Sequence, residues 1–372
     1  MDELRILQLN DYCLETILEF TEVKARISFA HTCSRLRNVF HGWSRRGYAN
    51  YYLVGDVEPW EFTLLSLISQ RVKSLNIFAD DLVSSFNDNY SKNKRNDAFS
   101  KFYNLIRSMK NLESIKIRQI YPHPITKLLL RAIHELPNLK QLHICILRHD
   151  NVGKILLRNC RSLTALRILH ISKEVSSSSL RNILTFLPEL QELSFYIDRS
   201  TESPLLVCYR NQRTSLTTIF DFLASKQTLR VLRVKGQITA NYEAQSLANI
   251  KSLRDLDCSF NNPKLVIYLT SLTSLQSLQI TYLHHIDISA TYLEVIRQCK
   301  DLRVLRLFDC NINPDFVNKA SEVLNQNESK NTLQLLIHGW HDTDTLNDFK
   351  AKASASNNLR LLSVTAFDLL TL

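Results

Sequence analysis

Histidine, cysteine and glycine are the residues here whose types could carry chemistry, and their spacing withholds the usual frames for it. His338-Gly339-Trp340-His341 sets two imidazoles three residues apart, and His284-His285 sets two side by side. A zinc helix needs H-E-x-x-H, so that two imidazoles share a face beside a glutamate that activates water; no such stretch occurs. The Gly-Trp step reads as loop and 284–285 as turn. The 8 cysteines lie at 13, 33, 145, 160, 208, 258, 299 and 310, with no Cys-x-x-Cys pair. They read as small buried apolar residues, not as metal ligands or nucleophiles. No G-x-S-x-G elbow is present. Gly42 and Gly47 have P-loop spacing, but Tyr48-Ala49 stand where Lys-Ser/Thr would hold phosphate and magnesium, and no G-x-G exists anywhere. The sequence therefore assigns no catalytic residue, no metal ligand and no cofactor.

What must be positioned is then a surface, and the elements for it repeat. L-x-x-L-x-apolar returns at Val72-Leu75-Ile77, Leu112-Ile115-Ile117, Leu139-Leu142-Ile144, Leu163-Leu166-Ile168, Leu190-Leu193-Phe195 and Leu229-Leu232-Val234. It continues at Leu253-Leu256-Cys258, Leu275-Leu278-Ile280, Leu302-Leu305-Leu307, Leu333-Leu336-His338 and Leu359-Leu362-Val364. Each copy alternates like a short strand. Helix-period faces such as Ile125-Leu128-Leu129-Ala132 and Leu180-Ile183-Leu184-Leu187 lie between them. One such unit cannot cover its own apolar side, so neighbours must stack into a solenoid with a parallel sheet on its concave face. Residues 80–98 and 199–215 are long polar interruptions and read as loops projecting from the stack, the first of them mobile.

Residues 71–372 resemble the leucine-rich repeat family in its longer, helix-containing form. The resemblance implies an α/β horseshoe of about eleven repeats with outer helices. Residues 1–46 do not repeat. Leu14, Ile17 and Leu18 form one helix face capped by Asn10 or Asp11, Ile27 and Ala30 a second, and Leu36, Val39 and Phe40 a third. The run Leu9-Asn10-Asp11, Leu14, Ile17-Leu18, Val23, Ile27 and Cys33-Ser34-Arg35-Leu36 resembles an F-box. Asn10, Thr21 and Glu22 stand where that family has Pro, Leu and Pro. An F-box before leucine-rich repeats implies a non-catalytic substrate receptor of a Skp–cullin–F-box ubiquitin ligase. On that reading residues 1–46 are the F-box, 47–70 a helical connector and 71–372 the repeat domain. Leu9, Leu14, Ile17, Leu18, Val23, Ile27 and Leu36 would meet a Skp-type adaptor and, through it, a cullin. The alternative is a free-standing repeat scaffold or inhibitor whose N-terminal helices cap the stack.

The formal net charge is +10. Residues 92–161 hold 15 Lys/Arg against 4 Asp/Glu, so this stretch carries the whole excess. The residues between the inward leucines of each strand point to the concave face. They include Asn76, Lys116, His143, Arg167, Arg233, Asp257, Arg306 and Ile337, flanked by Arg118 and Lys235. Tyr196, Tyr282 and Phe308 add aromatic area. Lys116, Arg118, His143, Arg167, Tyr196, Arg233, Lys235 and Arg306 would hold a target protein, acidic or phosphorylated, through charge-assisted hydrogen bonds. No nucleic-acid module accompanies the basic stretch. No run approaches the roughly 18 apolar residues of a membrane span, and the acidic start Met1-Asp2-Glu3 lacks a signal-peptide layout. Both point to the cytoplasm or nucleus.

Overall fold

A computed structural model describes residues 6–89, 92–120, 124–146, 156, 158, 160–196, 216–281, 286–309, 311–327, 332–339 and 343–365. It divides into two compact units, Met1–Ile168 and Leu169–Leu372. The first opens with three helices, α1 (Asp11–Phe20), α2 (Val23–Thr32) and α3 (Ser34–Gly47). Strands and helices then alternate: β1 (Asn50–Leu53), α4 (Pro59–Ile68), β2 (Ser74–Phe78), α5 (Ala79–Asn89), α6 (Lys92–Ser108), β3 (Ser114–Gln119), α7 (Pro124–Ile133) and β4 (Gln141–Ile146). The second unit continues with β5 (Ile168–Glu174), β6 (Glu192–Tyr196), β7 (Val231–Ile238), β8 (Asp255–Phe260), β9 (Ser277–Thr281), β10 (Val304–Phe308), β11 (Leu333–His338) and β12 (Leu359–Thr365). Within each unit the described strand pairs are parallel and follow chain order. Parallel strands need crossover connections, and helices or helical turns supply most of them. This is the stacked-repeat architecture of leucine-rich repeats.

One hydrogen-bond fork sets the register. The N–H groups of Lys73 and Ser74 both donate to the Ala49 carbonyl, those of Glu113 and Ser114 to Lys73, and those of Lys140 and Gln141 to Glu113, all at 2.8–2.9 Å. The fork recurs in the second unit: Arg230 and Val231 converge on Gln191, Arg254 and Asp255 on Arg230, and Arg303 and Val304 on Gln276. Counting from the second residue of each fork, positions two and four turn inward and positions one, three and five outward. Leu75, Ile115, Leu142, Leu232, Leu256 and Leu278 are accordingly sealed at 0% exposure.

The fork corrects two of the expected registers. Arg167 and Ile168 both donate to the Lys140 carbonyl, so Arg167 occupies the position of Lys140, before the strand. The inward residues of β5 are Leu169 and Ile171, 0% and 1% exposed. Leu163-Leu166-Ile168 and Leu166-Leu169-Ile171 both satisfy the motif; only the second keeps the 27-residue step that separates Ile115 from Leu142. In β11, Val304 faces Gln334 and Leu305 faces Leu335. Leu335 and Ile337 are therefore inward, both 0% exposed. The anticipated phase, with Leu336 and His338 inward and Ile337 outward, is reversed.

Residues 80–98 are not a projecting loop, because α5 and α6 cover most of them. Leu82, Val83 and Phe86 bury one face of α5, and Ala98, Phe102 and Ile106 one face of α6. Ser84, Asn87, Asp88, Asn96, Asp97 and Ser100 lie on the exposed sides, as an amphipathic helix requires. Phe62 stacks on Phe86 at 5.1 Å and Phe99 meets Phe86 edge-on at 4.8 Å, fixing α4, α5 and α6 together. The segment 47–70, expected to be helical, also supplies β1, which pairs with β2 from Asn50–Ser74 to Leu53–Ile77. Residues 199–215, Tyr282, His284, His285, Cys310, Trp340 and His341 lie outside the described residues.

Because Leu256 is sealed between Leu232 and Leu278, Leu256→Ala should destabilise the second unit by about 2–5 kcal/mol. Urea unfolding reads this as a lower midpoint at unchanged slope.

Candidate functional site: an exposed helical face and an open sheet face

The N-terminal helices close a small core of their own. Asn10 caps α1, its Oδ1 accepting from the Cys13 N–H at 2.8 Å. Leu14, Leu18, Ala30 and Phe40 are 0% exposed, with Leu36 at 2% and Ile27 at 8%. Arg35 of α3 pins the preceding segment, donating to the Leu7 carbonyl, to the Leu9 carbonyl at 2.6 Å and to Asp11 at 3.0 Å. Arg26 of α2 donates to the Leu18 carbonyl at 2.9 Å and lies over the Trp43 ring at 4.9 Å. From there Trp43, Tyr48 and Tyr51 form a chain of rings with centroids 5.7 and 6.3 Å apart. Tyr51 is in β1 and its hydroxyl donates to Glu61 of α4 at 3.4 Å; burial pushes both the Tyr51 phenol and the Glu61 carboxyl upward. Lys24 pairs with Glu58 at 2.9 Å on the same side. The module is thus tied to the first strand by rings and buried polar groups.

Four large apolar side chains stay on its surface. Phe20 is 86% and Tyr12 78% exposed, and Ile6 and Leu7 are exposed beside them in sequence. Leu9, Ile17 and Val23 are half-buried.

The outward sheet positions form the second surface. In the first unit the registers align Tyr52, Asn76, Lys116 and His143, and beside them Phe78, Arg118 and Cys145. In the second unit Glu192 accepts from His170 at 2.6 Å and from Arg233, whose guanidinium also lies 3.8 Å from Asp255. Hydrogen bonds from His170 first, and then Arg233, hold the Glu192 carboxyl down at about 2. Asp257 is pushed up by burial, with Arg233, Lys235 and Arg306 opposing. Phe308 and His338 stack at 4.3 Å and 10°, and burial lowers the His338 imidazole, with Arg306 adding to it. Among the described residues no group of three or more His, Cys, Asp or Glu could hold a metal. Nor is any described helix long and apolar enough to cross a membrane.

Residues 6–45 match the family model of the F-box domain. The chain joins an F-box to leucine-rich repeats. No curated protein matches it. Among solved structures, internalin C2 from Listeria monocytogenes str. 4b F2365 is similar at 18% identity and a TM-score of 0.32, covering 54% of this chain and 74% of that one. The repeat assignment rests on the strand register above, not on that likeness.

Of the residues expected to meet an adaptor, Leu14, Leu18, Ile27 and Leu36 form the interior of the F-box, whereas Leu9, Ile17 and Val23 reach its surface. Of the most exposed large apolar side chains, Phe20 belongs to the F-box-like run of the sequence but was not assigned to the contact, and Tyr12 was not singled out. An aromatic on a helix of otherwise amphipathic pattern, placed off its buried face, is the signal that finds them. On the sheet, Lys116, His143, Arg233 and Arg306 stand at the third strand position and Arg118, Tyr196 and Lys235 at the fifth. Arg167 does not join them; His170 takes its position. Glu192 was missed as well, because a carboxylate at the first strand position carries no motif.

A carboxyl with a depressed folded pKa stabilises the fold above its unfolded value, here 4.5, and loses that contribution as pH falls through about 2. The melting temperature of the second unit should therefore drop across this window. In Glu192→Gln that part of the drop should be missing, as thermal unfolding followed from pH 5 to pH 2 would measure.

Proposed function

We propose that the protein is the non-catalytic target-recognition subunit of a Skp–cullin–F-box ubiquitin ligase. F-box domains generally bind Skp adaptors, and an F-box with repeats is a substrate adaptor in general form. In the finer reading, residues 1–46 dock on the adaptor, 47–70 set the distance and 71–372 hold the target. Leu9, Ile17 and Val23, with Ile6, Leu7, Tyr12 and Phe20, make the adaptor contact. Leu14, Leu18, Ile27 and Leu36 support that face from beneath. The cullin is reached through the adaptor, and the complex works in the cytoplasm or nucleus.

The observation that supports this best is the exposure of Tyr12 and Phe20, at 78% and 86%, on a module whose own core is closed. A helical cap would turn its apolar side chains against the repeats. This module instead meets β1 through Tyr48 and the start of α4 through Lys24, and leaves two large aromatics in water. Aromatics of this kind dominate interface energetics when a partner buries them. The target would lie on the open sheet face near Lys116, Arg118, His143, Tyr196, Arg233, Lys235 and Arg306, an acidic or phosphorylated protein that suits the exposed cations among them.

Replacing Tyr12 and Phe20 together by Asp should weaken binding of a Skp-type adaptor about 100-fold or more and leave the melting temperature within a few degrees of wild type. Co-purification with the adaptor and circular dichroism measure the two effects. Undiminished binding by the variant would move the adaptor contact off Tyr12 and Phe20, and no adaptor binding by the wild-type chain would favour the free-standing scaffold with a helical cap.

A further inference from the structure

We propose that the groove between α4 and α6 is a binding site for a flat, neutral, ring-bearing small molecule that carries a hydroxyl or carbonyl group. The site goes beyond the target-receptor reading and does not depend on it.

The groove arises where the regular step of the stack is broken. Ile115 and Leu142, inward residues of β3 and β4, are 27 residues apart, whereas Leu75 of β2 and Ile115 are 40 apart. The longer step holds two helices, α5 and α6. α5 packs on β2 and β3, while α6 packs mainly on α7 and only lightly on α4. Between α4 and α6 lies a cavity of about 790 Å³. Clefts that take small organic ligands run to roughly 300–1,000 Å³.

Its floor is aromatic. Phe86, Ala98 and Phe102 are buried there, and Phe62 and Leu105 are half-buried. Phe62 stacks on Phe86 and meets Phe102 edge-on at 5.7 Å, and Phe86 meets Phe102 edge-on at 6.3 Å. The three rings brace one another and hold α4 and α6 at this spacing. Water against such a floor finds few polar partners. A flat ring system gains offset or edge-on contact with the phenylalanines and buries their apolar area.

The walls set the charge of the occupant. Thr63 and Ser66, neighbours on one face of α4, are exposed on one side of the groove, and Asp97 and Lys101 on the other. Lys101 pairs with Asp97 at 2.8 Å. The one cation and the one carboxylate of the described lining therefore cancel, and favour neither an anion nor a cation. The Thr63 and Ser66 hydroxyls can each donate or accept, which suits a hydroxyl or carbonyl group on the ligand and fixes its orientation.

The test titrates the full chain with Nile red, a neutral flat fluorophore bearing a ring carbonyl, and separately with the anionic fluorophore anilinonaphthalene sulfonate. Nile red should bind saturably, one molecule per chain, with a dissociation constant of about 10 μM or tighter. Ser66→Trp and Thr63→Trp, which fill the groove from exposed helix positions, should each weaken binding at least about tenfold at an unchanged melting temperature. Tyr12→Asp with Phe20→Asp, which removes apolar surface elsewhere, should leave binding as it is. Uptake without saturation, undiminished binding by both groove-filling variants, or loss of binding in the Tyr12 and Phe20 variant would each overturn the proposal. Tighter binding of the anionic fluorophore would overturn it too. So would displacement of Nile red by a Skp-type adaptor, which would give the groove to a protein partner. Adaptor binding scored on the same preparations tests the ligase reading separately, because neither result requires the other.

Discussion

The convergence of two N–H groups on one carbonyl at the start of a strand is the constraint on which the rest of this molecule depends. It satisfies two backbone donors at once, a requirement that burial makes expensive to miss. It also forbids slippage: a one-residue shift would send Leu232, Leu256 and Leu278 to the solvent side and their polar neighbours into the core. Wherever the fork holds, the third residues of successive strands are brought into line, Lys116 beside His143 in one unit and Arg233 beside Asp257 in the other. The outward face of the strands is a by-product of that backbone pairing.

Electrostatics then decides which cations remain available. Much of the positive charge of residues 92–161 is met locally, Lys101 by Asp97 at 2.8 Å, Arg107 by Glu135 at 2.5 Å and Lys140 by Glu113. Each exposed pair contributes only about 0.2–1 kcal/mol, yet it removes a cation from the surface on offer. Lys116 and Arg118 stand on strands whose outward neighbours carry no acid. Arg233, the most conspicuous arginine of the second unit, is held instead by Glu192 and Asp255.

Much of this was legible in the residues. Period-two leucines at a regular spacing announce strands, and Asn10 followed by Leu14 and Leu18 announces a capped helix; the structure has both. Where two phases of the motif overlap, leucines alone do not choose. In β5 the choice fell to a hydrogen bond from Arg167 to Lys140, and in β11 to pairing with β10, neither of which a single strand displays. α5 and α6 were hidden because Asn, Ser, Lys and Asp crowd their outer faces and dilute the apolar positions Leu82, Phe86, Phe102 and Ile106. In the F-box the apolar pattern located the helices, but pattern does not distinguish a leucine facing its own module from one facing a partner. Only packing places Leu14 inside and Phe20 outside.

The account makes the F-box surface a docking face and the strands a separate one, joined through Trp43, Tyr48 and Tyr51. Amide hydrogen exchange of the full chain with and without a Skp-type adaptor tests this most directly. The account predicts slowed exchange in residues 6–23, around Tyr12 and Phe20, with β2–β4 and β7–β10 unchanged. Unchanged exchange in residues 6–23 at saturating adaptor, or protection confined to the strands, would contradict it.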